Sequence, residues 1–249
     1  MTQGESTSTS VADAEVTTIL RIPGTWRHPS ELVTRMPKGF RMTLQAVILP
    51  DGTEIEYSPM PPDDMFAQVF RSACRHPAAA EEIRRVHRYT ANIGLSGPGG
   101  SMAAALKMLQ AGGAIVRAGG AGVFIDNSGL AHGGRDWLQM ADDGRWDAVS
   151  FAFVNVVRTE REIRTVGMHV LGRPEFVMKH SDIDRKGNVI KDVIHYLCLR
   201  DNPIAVGQVL ACQSGPRFRV LGTASDPWML ARPMCNPYGC LKLGKTENN

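Results

Sequence analysis

Apolar and polar positions alternate in a readable way through the middle of the chain. Met102, Leu106, Leu109, Gly113 and Val116 recur at spacings of four, three, four and three, which lines one face of a helix. Ser101 stands just ahead with N-cap chemistry, and Gly119-Gly120 end the pattern. Residues 89–95 ahead of it have mixed strand propensity and stop at Ser96-Gly97-Pro98-Gly99-Gly100. Residues 121–125 form a short apolar run, as a strand buried on both faces would. Asp126-Asn127-Ser128-Gly129 is turn chemistry, and a second helix is expected over about 133–141. The pattern predicts a central β-α-β unit.

The flanks read differently. Ala46, Val47, Ile48 and Leu49 run into Pro50-Asp51-Gly52, and 54–57 alternate on the way back, which predicts a hairpin. His28-Pro29 can open a short helix. Asp63 or Asp64 caps a helix carrying Met65, Phe66, Val69 and Phe70, and His76-Pro77 separates it from another over about 78–87. Residues 147–157 are the most apolar strand candidate and are expected at the centre of a sheet. Residues 162–171 alternate, with Val166, Met168 and Val170 on one face and Thr165, Gly167 and His169 on the other. Arg173-Pro174 interrupts, and 175–178 either continue the strand or turn a corner. Ile190, Val193, Ile194 and Leu197 mark a helix over about 185–199, and a last hairpin is expected around Ser214-Gly215-Pro216.

Hairpins at both ends with helices between favour an α+β fold: a mixed, mostly antiparallel sheet with helices packed on it. Residues 1–17 are Ser/Thr-rich and expected to be disordered. Residues 18–226 read as a single domain, and 227–249 as an irregular, Pro/Gly-rich and then polar tail.

Composition changes little in this picture. The 249 residues are 43% hydrophobic and 21% charged, ordinary for a globular protein. A net charge of +3 is too small to argue for nucleic acid or an anionic membrane. No stretch approaches the ~18 apolar residues of a spanning helix. The first residues have neither a basic n-region nor an apolar run, so the expectation is a cytoplasmic protein. Five cysteines, an odd number, are expected to be mostly reduced.

Four constellations could carry chemistry. Gly97, Gly99, Gly100 and Ser101 lie between a strand and a helix N-terminus, where free N–H groups attract anions. The turn lacks the lysine of a phosphate loop and does not spell GxGxxG, so a capped tight turn is the plainer reading. Asn127, Ser128 and His132 lie at a strand's carboxyl end, where ligands collect. Ser128 with His132 suggests a nucleophile and its base, although no G-x-S-x-G elbow surrounds the serine. His169 and Glu175 could share that cleft. Cys235 and Cys240 form C-x4-C with no second ligand pair, so no metal site is expected, and a tail disulfide is the comparable reading. Arginines cluster at 71–88 and 158–164 without interleaved aromatics, the pattern of a solvated face more than of a nucleic-acid surface.

Two stretches, AGVFIDNSGLAH at 121–132 and RTVGMHVLGRPEF at 164–176, together resemble a bacterial family catalogued as a domain of unknown function, number 4261. The resemblance covers about residues 44–222. It implies a bacterial cytoplasmic α+β domain and brings no catalytic residue with it.

The expectation is therefore a non-catalytic module, regulatory or immunity-type, that contacts another protein without a cofactor or a membrane; self-association stays open. The alternative is a small-molecule or anion-binding protein, a hydrolase among the options, with its site where the 97–100 turn meets Asn127, Ser128 and His132.

Overall fold

The computed structural model describes residues 16–183, 188–199, 204–211, 216–225 and 232–246. It has an α+β fold with two sheets, mostly antiparallel. The first sheet holds β1 (Thr17–Gly24), β2 (Arg41–Met42), β3 (Ala46–Ile48), β4 (Glu54–Met60), β5 (Ala91–Pro98), β6 (Gly122–Ile125) and β7 (Leu130–Gly133), in the order β2-β3-β4-β5-β1-β6-β7. The expected hairpin is β3–β4, turned at Gly52 with φ +87°, a conformation that favours glycine. Helix α1 (Pro29–Thr34) follows β1 with His28 as its N-cap. Helices α2 (Phe66–Ala73) and α3 (Ala80–His87) lie between β4 and β5, as their apolar spacing predicted.

The central unit is β5, α4 (Met102–Arg117) and β6. Ser101 caps α4, accepting from Ala104 N at 3.1 Å. Strands β5 and β6 are each antiparallel to β1, hence parallel to one another with β1 inserted between them. Of the segment expected to be disordered, residues 1–15 lie outside the described residues, and Thr17 begins the strand on which the sheet is assembled. Its alternation (Leu20 and Ile22 fully buried) was hidden by Pro23 and Gly24, which look like breakers but close the strand.

Helices α5 (Gly134–Asp143) and α6 (Trp146–Phe153) pack against α4. The second sheet holds β8 (Asn155–Arg158), β9 (Glu162–Val166), β10 (Glu175–Lys179), β11 (Val209–Ala211), β12 (Arg217–Thr223) and β13 (Cys240–Lys245), in the order β11-β12-β13-β10-β9-β8. Helix α7 (Asn188–Cys198) presents Val189, Ile190, Val193, Ile194 and Leu197 to the core. One apolar core runs through both sheets, with Leu20, Ile22 and Leu95 in the same cluster as Phe176, Met178, Val220 and Leu243. A smaller cluster, including Phe66, Phe70, Val86 and Tyr89, lies under α2 and α3.

Three expectations are corrected. The central strand over 147–157 is instead helix α6 followed by the edge strand β8, because helical spacing buries Val149, Ala152 and Phe153 against α4 and α5. The strand over 162–171 stops at Val166, where Gly167 (φ +106°) starts a 3₁₀ turn, Met168–Leu171. The C-terminal segment is not irregular throughout: β13 lies inside the second sheet, parallel to β10 and antiparallel to β12.

Candidate functional site: a buried polar seam

The polar residues singled out by sequence separate into three environments. The first is a seam where the two sheets meet. The β6–β7 turn places Asn127 beside the start of β1. Its Oδ1 accepts from Ile19 N at 2.8 Å, and its Nδ2 donates to Thr17 O at 2.9 Å and Pro233 O at 3.3 Å. These main-chain partners fix the orientation of the amide. The 3₁₀ turn brings His169 Nε2 to 3.0 Å from Pro233 O and 3.2 Å from Asn127 Nδ2. Nε2 can donate to Pro233 O or accept from Asn127 Nδ2 but not both, so each tautomer satisfies one of the two contacts.

Glu175, the first residue of β10, completes the seam. Its Oε1 accepts from Gly167 N and Met168 N, each at 2.9 Å, and from Asn236 Nδ2 at 3.0 Å. His169 Nδ1 lies 3.5 Å from the same oxygen, at the limit of a hydrogen bond. Asn127, His169 and Glu175 are each 2% exposed or less. Glu175 Oε2 and the nearby Ser128 Oγ are buried with no hydrogen-bond partner among the described residues. Ser128 packs against Gly167, where an added Cβ would come within 2.9 Å of Ser128 Cβ.

His132 lies in the second environment, on the far side of the hairpin. Its Nε2 donates to Ala152 O at 2.9 Å, and its ring packs on Trp137 and Phe151 at centroid distances of 5.9 and 6.2 Å. Burial, reinforced by the Arg75 charge, pushes its pKa from 6.5 down to about 3. The Ser128–His132 pair does not form: the serine hydroxyl has no partner, and the imidazole is held by a helix carbonyl. Arg75 also turns inward, donating to Phe151 O at 2.9 Å and to Val154 O, with its guanidinium 4.3 Å from the Phe151 ring. The 71–88 arginine cluster is thus partly internal, and Arg85 likewise donates to Gly119 O.

The glycine turn makes the third. It sits at the same sheet end as Asn127, since Thr18 pairs with Gly97 and Ile19 binds Asn127. Gly97 is inside β5 rather than in the turn; an added Cβ there would strike Met108 and Ile55. Gly99 N donates to Val16 O at 2.8 Å, and Ser101 Oγ accepts from Ala104 N. Gly100, with φ +75°, packs against Gly172, where a Cβ would collide with Gly100 O. These glycines permit close main-chain approach beside the seam, and the anion cradle loses the Gly99 N–H.

Cys235 and Cys240 do not form the tail disulfide, and no group of three metal-binding side chains occurs among the described residues. Cys240 is buried in β13, with Arg164 Nη1 3.6 Å from its sulfur. Sequence reasoning missed Asn236 and the Pro233 carbonyl, which close the seam from a segment read as tail; the only signal was the turn-like Asn236-Pro237. Among the described residues, no helix is long and apolar enough to cross a membrane. Comparison of the chain with protein-family models, curated proteins and solved structures finds no match.

Proposed function

We propose that the chain is a non-catalytic, cytoplasmic bacterial module of regulatory or immunity type that works by contacting another protein. The observation that carries this reading is the seam. Glu175 and His169 are buried and bonded to main chain of other elements, so they serve as joints, while His132 is packed among aromatic rings with its Nε2 on a helix carbonyl. Function then falls to the surface. The resemblance to family 4261 belongs to the same proposal and agrees with the α+β fold. The test is native affinity isolation of the tagged full chain from its source cells, with cross-linking. A reproducible partner at fixed stoichiometry is expected; repeated recovery of the bare chain would overturn the reading.

A second reading has an observation of its own. Ser128 Oγ and Glu175 Oε2 are buried with no hydrogen-bond partner among the described residues, as they would be in a small-ligand site that opens. Mass spectrometry under native and then denaturing conditions separates the two readings. A mass lost on denaturation, and absent from a Ser128→Ala chain, supports the ligand.

A further inference from the structure

We infer that the outer face of the β11–β12–β13 sheet docks an acidic polypeptide segment that also carries apolar side chains; the inference rests on the protein-contact reading above. Strand β12 alternates, with Phe218 and Val220 fully buried and Arg217, Arg219 and Leu221 exposed. Strand β13 buries Leu241 and Leu243 and exposes Lys242. Successive side chains point to opposite faces, so the three cations share the solvent side. Register brings them together: Val209 pairs with Arg219, Ala211 with Arg217, Arg219 with Gly244 and Lys242 with Gly222.

Two properties set this face apart. It is cationic: the described residues from 204 to 246 include Arg217, Arg219, Arg232, Lys242 and Lys245 and no aspartate or glutamate, and Asp182 Oδ2 lies 3.5 Å from Lys245 N at the end of β13. No ion pair engages Arg217, Arg219 or Lys242 among the described residues. It is also apolar. Leu221 is 54% exposed and leans over Gly244, where an added Cβ would come within 2.7 Å of Leu221 Cδ1. Val206 and Val209 lie beside it, 65% and 37% exposed. Fixed cations around exposed Leu and Val match a segment that alternates carboxylates with aliphatic side chains. A single-stranded nucleic acid would need stacking rings, and the aromatic residue of these strands, Phe218, faces the core.

The test uses the full chain and a fluorescent twelve-residue peptide alternating Glu/Asp with Leu/Val, read by anisotropy at low salt. Binding is expected to weaken about tenfold in R217E/R219E/K242E, and to be lost when the peptide's acids become amides. The amide peptide tests the charge requirement on the unaltered chain, so a folding defect in the triple variant cannot mask the answer. No binding by the unaltered chain, equal binding by the triple variant, or tighter binding of an oligo-dT of equal length would each overturn the inference. Affinity isolation with both chains separates this failure from that of the parent reading. A partner captured equally by the two keeps the contact reading and removes this face; none captured by either removes the contact reading itself.

Discussion

His132 and His169 are buried almost equally, at 2% and 1% exposure, yet they occupy opposite kinds of interior. His132 has one hydrogen bond, to a helix carbonyl, and aromatic rings on its faces. His169 lies among Asn127, Glu175 and the Pro233 carbonyl, in a network tied to β1, the 3₁₀ turn and the segment before β13. Burial alone therefore does not define a site. The neighbours decide whether a polar group is a guest in an apolar core or a joint between segments, because an unpaired buried group is costly and a networked one is not.

The largest expected effect is at the joint. Glu175→Ala leaves Gly167 N, Met168 N and Asn236 Nδ2 without their common acceptor, and should cost about 4 kcal/mol in chemical denaturation. A loss below about 1 kcal/mol would show that water replaces the carboxylate and that the seam is looser than its geometry.

The apolar histidine should reveal itself through pH. Its folded pKa, about 3, lies below the unfolded 6.5, so the unfolded chain binds the extra proton between these values. The contribution is complete above about pH 6.5 and declines as pH falls toward 3, by up to roughly 1.4 kcal/mol per unit. Between pH 6.5 and 4.5 this amounts to about 2–3 kcal/mol, and His132→Leu should flatten that part of the urea-midpoint profile. An unchanged slope in the leucine variant would assign the acid sensitivity to other groups.

Ser128→Ala sharpens the contrast from a third side. Removing a buried hydroxyl with no partner should stabilise the chain by about 1 kcal/mol or leave it unchanged, read by thermal melting. Clear destabilisation would mean that the hydroxyl has a partner in solution, as the ligand reading requires. Smallest per site, R217E/R219E/K242E should move stability by no more than about 0.5 kcal/mol at each position, because all three side chains are exposed.

Local order was legible wherever short-range chemistry decides it. Ser101 capping α4, the Asp51-Gly52 turn between β3 and β4, α2, α3 and the apolar stripe of α7 follow from spacing and turn residues alone. So does the α+β class, because hairpins and helices are each recognisable locally. Long-range pairing decided the rest. Strand β1 takes its place only because β5 and β6 flank it, and β13 reads as tail until it pairs with β10 and β12. Residues 147–157 are apolar enough for either element, and packing against α4 and α5 makes most of them a helix. Asn127, Ser128, His132, His169 and Glu175 stand out in the sequence as polar residues at turns and strand ends, but their grouping is set by packing. Ser128 and His132 are four apart in sequence and diverge across the hairpin, whereas Asn127, His169, Glu175 and Asn236 span more than a hundred residues and meet. Spacing along a chain constrains neighbours within one element; only tertiary packing brings separate elements to one seam.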